Sequence, residues 1–287
     1  MTRAKILVTG ADGQVGYELG RLLPGHGEVI ALDRSRLDLA DADALCSTMR
    51  ALRPEIVVNA AAYTAVDRAE DERDLAFAVN ARAPGILAEE AKKIGALLVH
   101  FSTDYVFDGR ASTPYVEHSP TAPLNAYGAS KLAGEQAIAA SGCEYLTLRT
   151  SWIYARRGRN FLLTIRRLAA ERNEIRVVAD QFGVPNWARA VAEATARLVA
   201  QGASRLADRA GLYHLTASGA TTWYDFARAI VGAAERPRIV AITTAQYPTR
   251  ARRPAYSVLS ARKFVRTFGF ELPDWRVTLE DCLSSGE

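Results

Sequence analysis

Cysteine, histidine and lysine are scarce in this chain of 287 residues, and each scarcity excludes a class of chemistry. Cys46, Cys143 and Cys282 are odd in number, far apart and in no metal-like spacing. Inert thiols in a reducing compartment are expected from such a pattern, not a disulfide scaffold. His26, His100, His118 and His214 are equally dispersed, which argues against a histidine-based metal site, and no metal is assigned. No apolar run approaches the length that crosses a bilayer, and the amino-terminal residues lead into Ile6-Leu7-Val8 without a cleavable leader. A cytoplasmic chain with no membrane partner is the expectation. Excess charge is small too: the net value is +4, carried mostly by arginine, with lysine only at 5, 92, 93, 131 and 263. That balance is too weak and dispersed for nucleic acid but suits a phosphorylated small molecule. Arg156, Arg157 and Arg159 form the densest cationic run, either a solvated loop or a site for an anionic ligand.

What the chain does have is short, continuous apolar runs. Ile6–Val8, Val29–Leu32, Ile56–Val58, Ala96–Val99 and Tyr145–Leu148 carry no polar alternation, as expected of parallel strands covered on both faces. Amphipathic stretches lie between them; Leu87, Ala91 and Ile94, for example, recur at helical spacing before Gly95. Alternating strand and helix over residues 1–150 predicts a doubly wound parallel α/β sheet with right-handed crossovers. Residues 151–287 read differently, with helices over 161–172 and 188–200, a loop at Asp180–Pro185, a strand at Leu212–Leu215 and a helix from Thr222. They predict a smaller, discontinuous α/β substrate-binding domain, with a segment near 186–215 returning to the first. The alanine-rich 188–200 helix serves either an interface or the core.

Five groups of residues carry chemistry. Gly10-Ala-Asp-Gly13-Gln-Val-Gly16 follows a strand and opens a helix, where glycine allows a tight turn and close approach of backbone N–H groups to a pyrophosphate. Its spacing is one residue longer than the commonest dinucleotide fingerprint. Asp33 ends the second run and can bond ribose hydroxyls, while Arg34 can hold a 2′-phosphate, so NADPH and NADH both stay open. Ala60, Ala61 and Ala62, after Asn59, leave room for a cofactor or for tight helix–sheet packing. Thr103 and Asp104 end the fourth run, where ligands of open parallel sheets bind, and a threonine hydroxyl there can donate to a developing alkoxide. Finally, Tyr127 and Lys131 are one helical turn and about 6 Å apart. A nearby ammonium is expected to favour the phenolate and lower a phenol pKa that is ordinarily ~10.

Together these motifs resemble the extended short-chain dehydrogenase/reductase superfamily and, within it, the dTDP-4-dehydrorhamnose reductases. The likeness runs from Lys5 to Leu283 and includes Val58–Asp67, Ser102–Gly109, Pro123–Lys131, Leu148–Tyr154, Asp180–Pro185, Gly211–Leu215 and Arg253-Pro254. It implies a Rossmann-type fold, a dTDP-sugar substrate and a homodimer. Gly13, Gln14 and Val15 would hold the pyrophosphate, and Gly10 and Gly16 shape the turn. Asp33, Asp38 and Leu39 would face adenosine, and Ala62, Tyr63 and Thr64 the path to nicotinamide. Tyr127 would donate the proton, Lys131 would lower its pKa and bind the ribose, and Thr103 would stabilise the oxyanion. Thr103, Asp104 and Trp152 would touch the sugar nucleotide, although Trp152 taken alone also suits a core aromatic. The arginines around 252 suit a diphosphate or a domain surface. The chain departs from the family pattern at Asn186, where threonine is common.

A related dehydratase would place glutamate after Thr103-Asp104, but Tyr105 stands there, so elimination lacks its acid. Other nucleotide-sugar reductases or epimerases stay open. The chain is also similar to a non-catalytic regulatory subunit of methionine adenosyltransferase, yet Thr103, Tyr127 and Lys131 are all retained.

Overall fold

The five amino-terminal apolar runs become strands β1 (Lys5–Thr9), β2 (Glu28–Leu32), β3 (Ile56–Asn59), β4 (Leu97–Thr103) and β5 (Tyr145–Thr150). They belong to a computed structural model that describes residues 3–233 and 237–285. With the strand Gly211–His214 they form one parallel sheet, ordered Gly211–His214, β5, β4, β3, β1, β2. The absence of alternation has its expected cause. Ile6 and Val8 enter one core while Leu7 between them enters the other, and all three are fully buried. Each such side chain contributes about 1.5–3 kcal/mol of hydrophobic stabilisation.

Helices α1 (Gln14–Leu22), α2 (Ala42–Leu52), α3 (Arg73–Phe77), α4 (Ala83–Ile94) and α5 (Ala126–Ser141) supply the crossovers. Between α3 and α4 the backbone widens into a π-helical turn, Ala78–Arg82. From β1 the chain winds outward to β2, then returns to place β3 on the other side of β1. This reversal opens a crevice at the carboxyl ends of β1 and β3, the usual ligand position of such sheets.

Beyond β5 come α6 (Phe161–Glu171) and α7 (Ala188–Val199). Helix α7 packs on α1 and buries Ala188, Val191, Thr195 and Leu198. This assigns the alanine-rich helix to the core. Small two-strand pairings organise the remainder: Glu174–Val178 runs parallel to Arg238–Ile242, and Phe182–Gly183 antiparallel to Thr221–Thr222. Among the described residues no helix is long and apolar enough to cross a membrane.

One ion pair joins two crossovers. Glu90 on α4, 2% exposed, accepts from Arg50 of α2 at 2.8 and 2.9 Å and from Lys93 at 2.7 Å. Hydrogen bonds from Arg50 and then Lys93 pull its carboxyl from 4.5 down to about 2. A depressed acid stabilises the fold above its unfolded pKa, and that stability is lost as pH falls through the folded value. Glu90→Gln is therefore expected to lower Tm at pH 7 and to flatten its decline between 4.5 and about 2. Thermal melts of both proteins across that window check this; parallel curves would remove Glu90 from the acid response.

Candidate active site

The glycine-rich turn is built by close contact. Gly10 lies at φ 71°, and a Cβ there would stand 2.7 Å from the Ala61 Cα; at Gly16 it would stand 2.0 Å from the Gly10 carbonyl oxygen. Both positions need glycine, for left-handed backbone in one case and for space in the other. Gly13 caps α1 with no side-chain bond, so the first-turn N–H groups point into the crevice with no protein partner supplied from the cap. A cavity of about 470 Å³ extends from this turn. It passes Arg34, Asp38 and Leu39 at one end, then Ala60–Thr64, and reaches Tyr127 and Lys131 at the other. The cradle and the elongated wall fit a dinucleotide.

The structure separates two neighbours that the sequence groups together. Arg34 lines the cavity, paired with Asp38 at 3.3 Å. The Asp33 carboxylate instead turns into its own loop, accepting from Ser35 N at 3.0 Å, Ser35 Oγ at 2.6 Å and Arg36 N at 3.2 Å. Of the arginine run, Arg159 lines the cavity, whereas Arg157 lies over the Tyr17 ring and Arg156 reaches the Cys282 carbonyl. Asn160 ties this loop to the glycine-rich turn by donating to Gln14 Oε1 at 2.8 Å. The wall also takes Leu75, Val79, Thr150 and Ile153. These are apolar or small residues whose sequence context gives no binding signal.

Helix α5 brings the reacting groups together. Asn125 starts it by accepting from Gly128 N at 2.8 Å. A Cβ on Gly128 would lie 2.2 Å from the Tyr105 carbonyl oxygen, and one on Gly134 would lie 2.1 Å from that of Asn80. The helix thus rests directly on the backbone after β4 and on the π-turn. Lys131, 2% exposed, donates to the Phe101 carbonyl at 2.6 Å and meets His100 Nε2 at 3.1 Å. Thr103 Oγ1 donates to Asp104 Oδ1 at 3.1 Å, accepts from Tyr105 N at 3.1 Å and stands beside the Tyr127 phenol, whose pKa it lowers.

Electrostatics differ from the expectation. Burial pushes the Tyr127 phenol up to about 12, against the Thr103 hydrogen bond and with added repulsion from Asp104. The expected lowering by Lys131 does not appear, because its amine donates to the Phe101 carbonyl and lies against His100, and burial pulls it down to about 8. Burial likewise raises Asp104 to about 7, opposed by the nearby hydroxyls of Ser257 and Thr103, and leaves Oδ2 buried without a hydrogen-bond partner among the described residues.

Trp152 is neither an ordinary core aromatic nor a free platform. Its backbone is left-handed at φ 43°, and its ring stacks on Trp223 at 3.5 Å with Gly183 against its other side. Such a conformation costs on the order of 1–3 kcal/mol and is held here by packing. Asn186, the departure from the family pattern, is fully buried and bonds Ser151, Val184, Thr216 and Ala217. It joins three loops and is walled off from solvent. Arg253 bonds Asp67 with both terminal nitrogens at 3.1 and 2.7 Å, which makes it a tie between distant segments.

A glycine cradle at the crossover point, with tyrosine, lysine and threonine converging at the strand ends, defines a nucleotide-dependent oxidoreductase of the short-chain dehydrogenase/reductase class. The chain belongs to the RmlD substrate binding domain family, matched over residues 4–287. It is 52% identical to dTDP-4-dehydrorhamnose reductase of Burkholderia thailandensis, covering 97% of this chain and 98% of that one. Identity to the Escherichia coli K12 enzyme of that name is 44%, over 97% of each chain. A crystal structure of dTDP-4-dehydrorhamnose reductase from Bacillus anthracis in complex with NADP superimposes with a TM-score of 0.91 at 36% identity, covering 99% of both chains.

Gly16→Ala should weaken dinucleotide binding at least about tenfold, a loss of roughly 1.4 kcal/mol, while circular dichroism stays native. Fluorescence titration with NADPH reads the change, and unaltered affinity would show that the turn is not the cradle.

Proposed function

We propose that this protein reduces the C4 ketone of dTDP-4-dehydro-6-deoxy-L-mannose, with NAD(P)H as reductant, giving dTDP-L-rhamnose. The observation that carries the reading is the placement of Tyr127 beside the Thr103 hydroxyl, one helical turn from a buried Lys131. A bound reduced nicotinamide supplies hydride to the ketone carbon. Tyr127 keeps its proton at neutral pH, being held near 12, and releases it once a stronger base, the developing alkoxide, forms beside it. Thr103 donates to the same oxygen, and Lys131 binds the nicotinamide ribose at the cavity end it lines. Gly10, Gly13, Gln14, Val15 and Gly16 hold the pyrophosphate; Ala60–Thr64 flank the nicotinamide half. Asp104 and Trp152 take the sugar nucleotide. Residues 1–150 with a returning segment near 186–215 carry the cofactor, and the rest of 151–287 closes on substrate.

Arg34 supports a preference for NADPH. Its side chain is 70% exposed on the cavity rim and, among the described residues, pairs with Asp38 alone, an exposed pair readily surrendered to a 2′-phosphate. Asp33, engaged with its own loop, offers less to ribose hydroxyls. Arg34→Ala is expected to raise KM for NADPH about tenfold or more and to leave that for NADH nearly unchanged. Equal effects on both would return the preference to Asp33.

The defining test supplies enzymatically generated 4-keto-L-sugar nucleotide, follows NADPH and NADH absorbance and identifies the product. Formation of dTDP-L-rhamnose is expected. Tyr127→Phe should bind cofactor normally and lose about 10²–10⁴ in kcat; unchanged turnover would overturn the assignment. Sedimentation at assay concentration tests the homodimer.

A further inference from the structure

Behind the reacting helix, four buried polar side chains stand in a row across β1, β3, β4 and α5. Thr9 pairs in register with Asn59, and Asn59 with His100, on adjacent parallel strands. Thr9 Oγ1 donates to Asn59 Oδ1 at 2.7 Å, Asn59 Nδ2 lies 3.0 Å from His100 Nδ1, and His100 Nε2 lies 3.1 Å from Lys131 Nζ. Thr9, Asn59 and His100 have no exposed surface. Apolar residues would serve packing alone at such positions, so a continuous polar row calls for another reason.

The chemistry of the row allows two complementary states. A neutral imidazole carries one N–H and one lone pair. Where Asn59 donates to Nδ1, the ring proton sits on Nε2 and points at Lys131, which must then offer the lone pair of a neutral amine. Where Lys131 is an ammonium, it donates to Nε2, and Nδ1–H must find an acceptor. Turning the Asn59 amide by half a rotation provides one without moving the row, and the Thr9 hydroxyl, donor and acceptor alike, serves either orientation. We propose that His100 is a positioning residue for the reduction, holding Lys131 through a tautomer that Asn59 and Thr9 switch in step with the lysine's charge.

Burial and the neighbouring lysine keep His100 well below its ordinary 6.5, so the ring stays neutral and always has one lone pair to offer. The other charged and titratable groups around the pair are few among the described residues. Glu135, one turn further along α5, raises Lys131 and is itself bound by Arg149 of β5 and by Ser102. Tyr127 shares the helix face, and Asp104 after β4 acts on Tyr127. β1 and β3 bring only the neutral Thr9 and Asn59.

This inference rests on the reading of Tyr127 and Lys131 as the reacting pair, and its test is independent of turnover. The chain has five lysines, so Cε-labelled protein without cofactor gives few signals, and Lys131→Arg identifies the one from Lys131. Asn59→Asp provides acceptors on both sides and should raise the Lys131 titration by about one pH unit, the worth of one charge-assisted hydrogen bond. His100→Leu removes the acceptor and should lower it by about as much, while His100→Gln restores a value near wild type. The alkaline limb of kcat should move with each variant. Shifts in one direction for both, or an unmoved lysine in folded Asn59→Asp, would overturn the switch; that variant decides alone if His100→Leu does not fold. Opposite lysine shifts with an unmoved kcat profile would instead overturn the catalytic reading of Lys131.

Discussion

The approach of α5 to bare backbone is the constraint on which the site depends. Side chains at 128 and 134 would force the helix off the Tyr105 and Asn80 carbonyls. Tyr127 and Lys131 would withdraw with it from the end of β4. Asn80 reinforces the contact from the other side, bonding Tyr63 through both backbone groups and Ser130 on α5. The wall that receives a dinucleotide and the helix that bears the acid are therefore one packed unit. Its geometry is set by two missing Cβ atoms and one amide.

Tight packing also determines the charges. Removing water raises an acid and lowers a base, and here the same enclosure raises Tyr127 and Asp104 while it lowers Lys131. An enzyme working toward reduction needs a donor that keeps its proton until oxygen becomes basic. A half-buried phenol at the cavity wall meets that need better than a phenolate would. The lysine's contribution then lies in placing a ribose and in balancing charge beside the cavity. It keeps one donor fixed on the Phe101 carbonyl, meets His100 on a second side and leaves a further donor for the ligand in either charge state.

The strands were legible because burial on both faces leaves continuous apolar runs, as Ile6-Leu7-Val8 shows. The glycine turn and the Tyr127–Lys131 pair were legible because local backbone geometry imposes their spacing. The direction of the phenol's shift was not, since spacing reports the nearest charge and carries no record of enclosure. Asp33 is ambiguous for a related reason: a short carboxylate can serve a ligand or cap its own loop, and the course of Ser35 and Arg36 shows the second arrangement here. His100 became visible only when β3 and β4 were laid side by side, since its partners come from segments 31 and 41 residues away.

Long-range ties explain motifs that neither packing period nor local chemistry accounts for. Asp67 and Arg253 stand 186 residues apart in the chain, yet they meet, with Ala251 N also donating to Asp67. Asn125, which starts α5, donates to the Arg252 carbonyl at 2.7 Å. The carboxy-terminal segment is thus joined both to the loop after β3, beside the cavity wall, and to the cap of the catalytic helix. Ser257 reaches Asp104 from the same segment. A substrate lodged between these parts would meet its acid and the segment that encloses it as one connected surface. For that reason Arg253, which the sequence leaves to a diphosphate or a domain surface, stands as a tie between the two halves of the site.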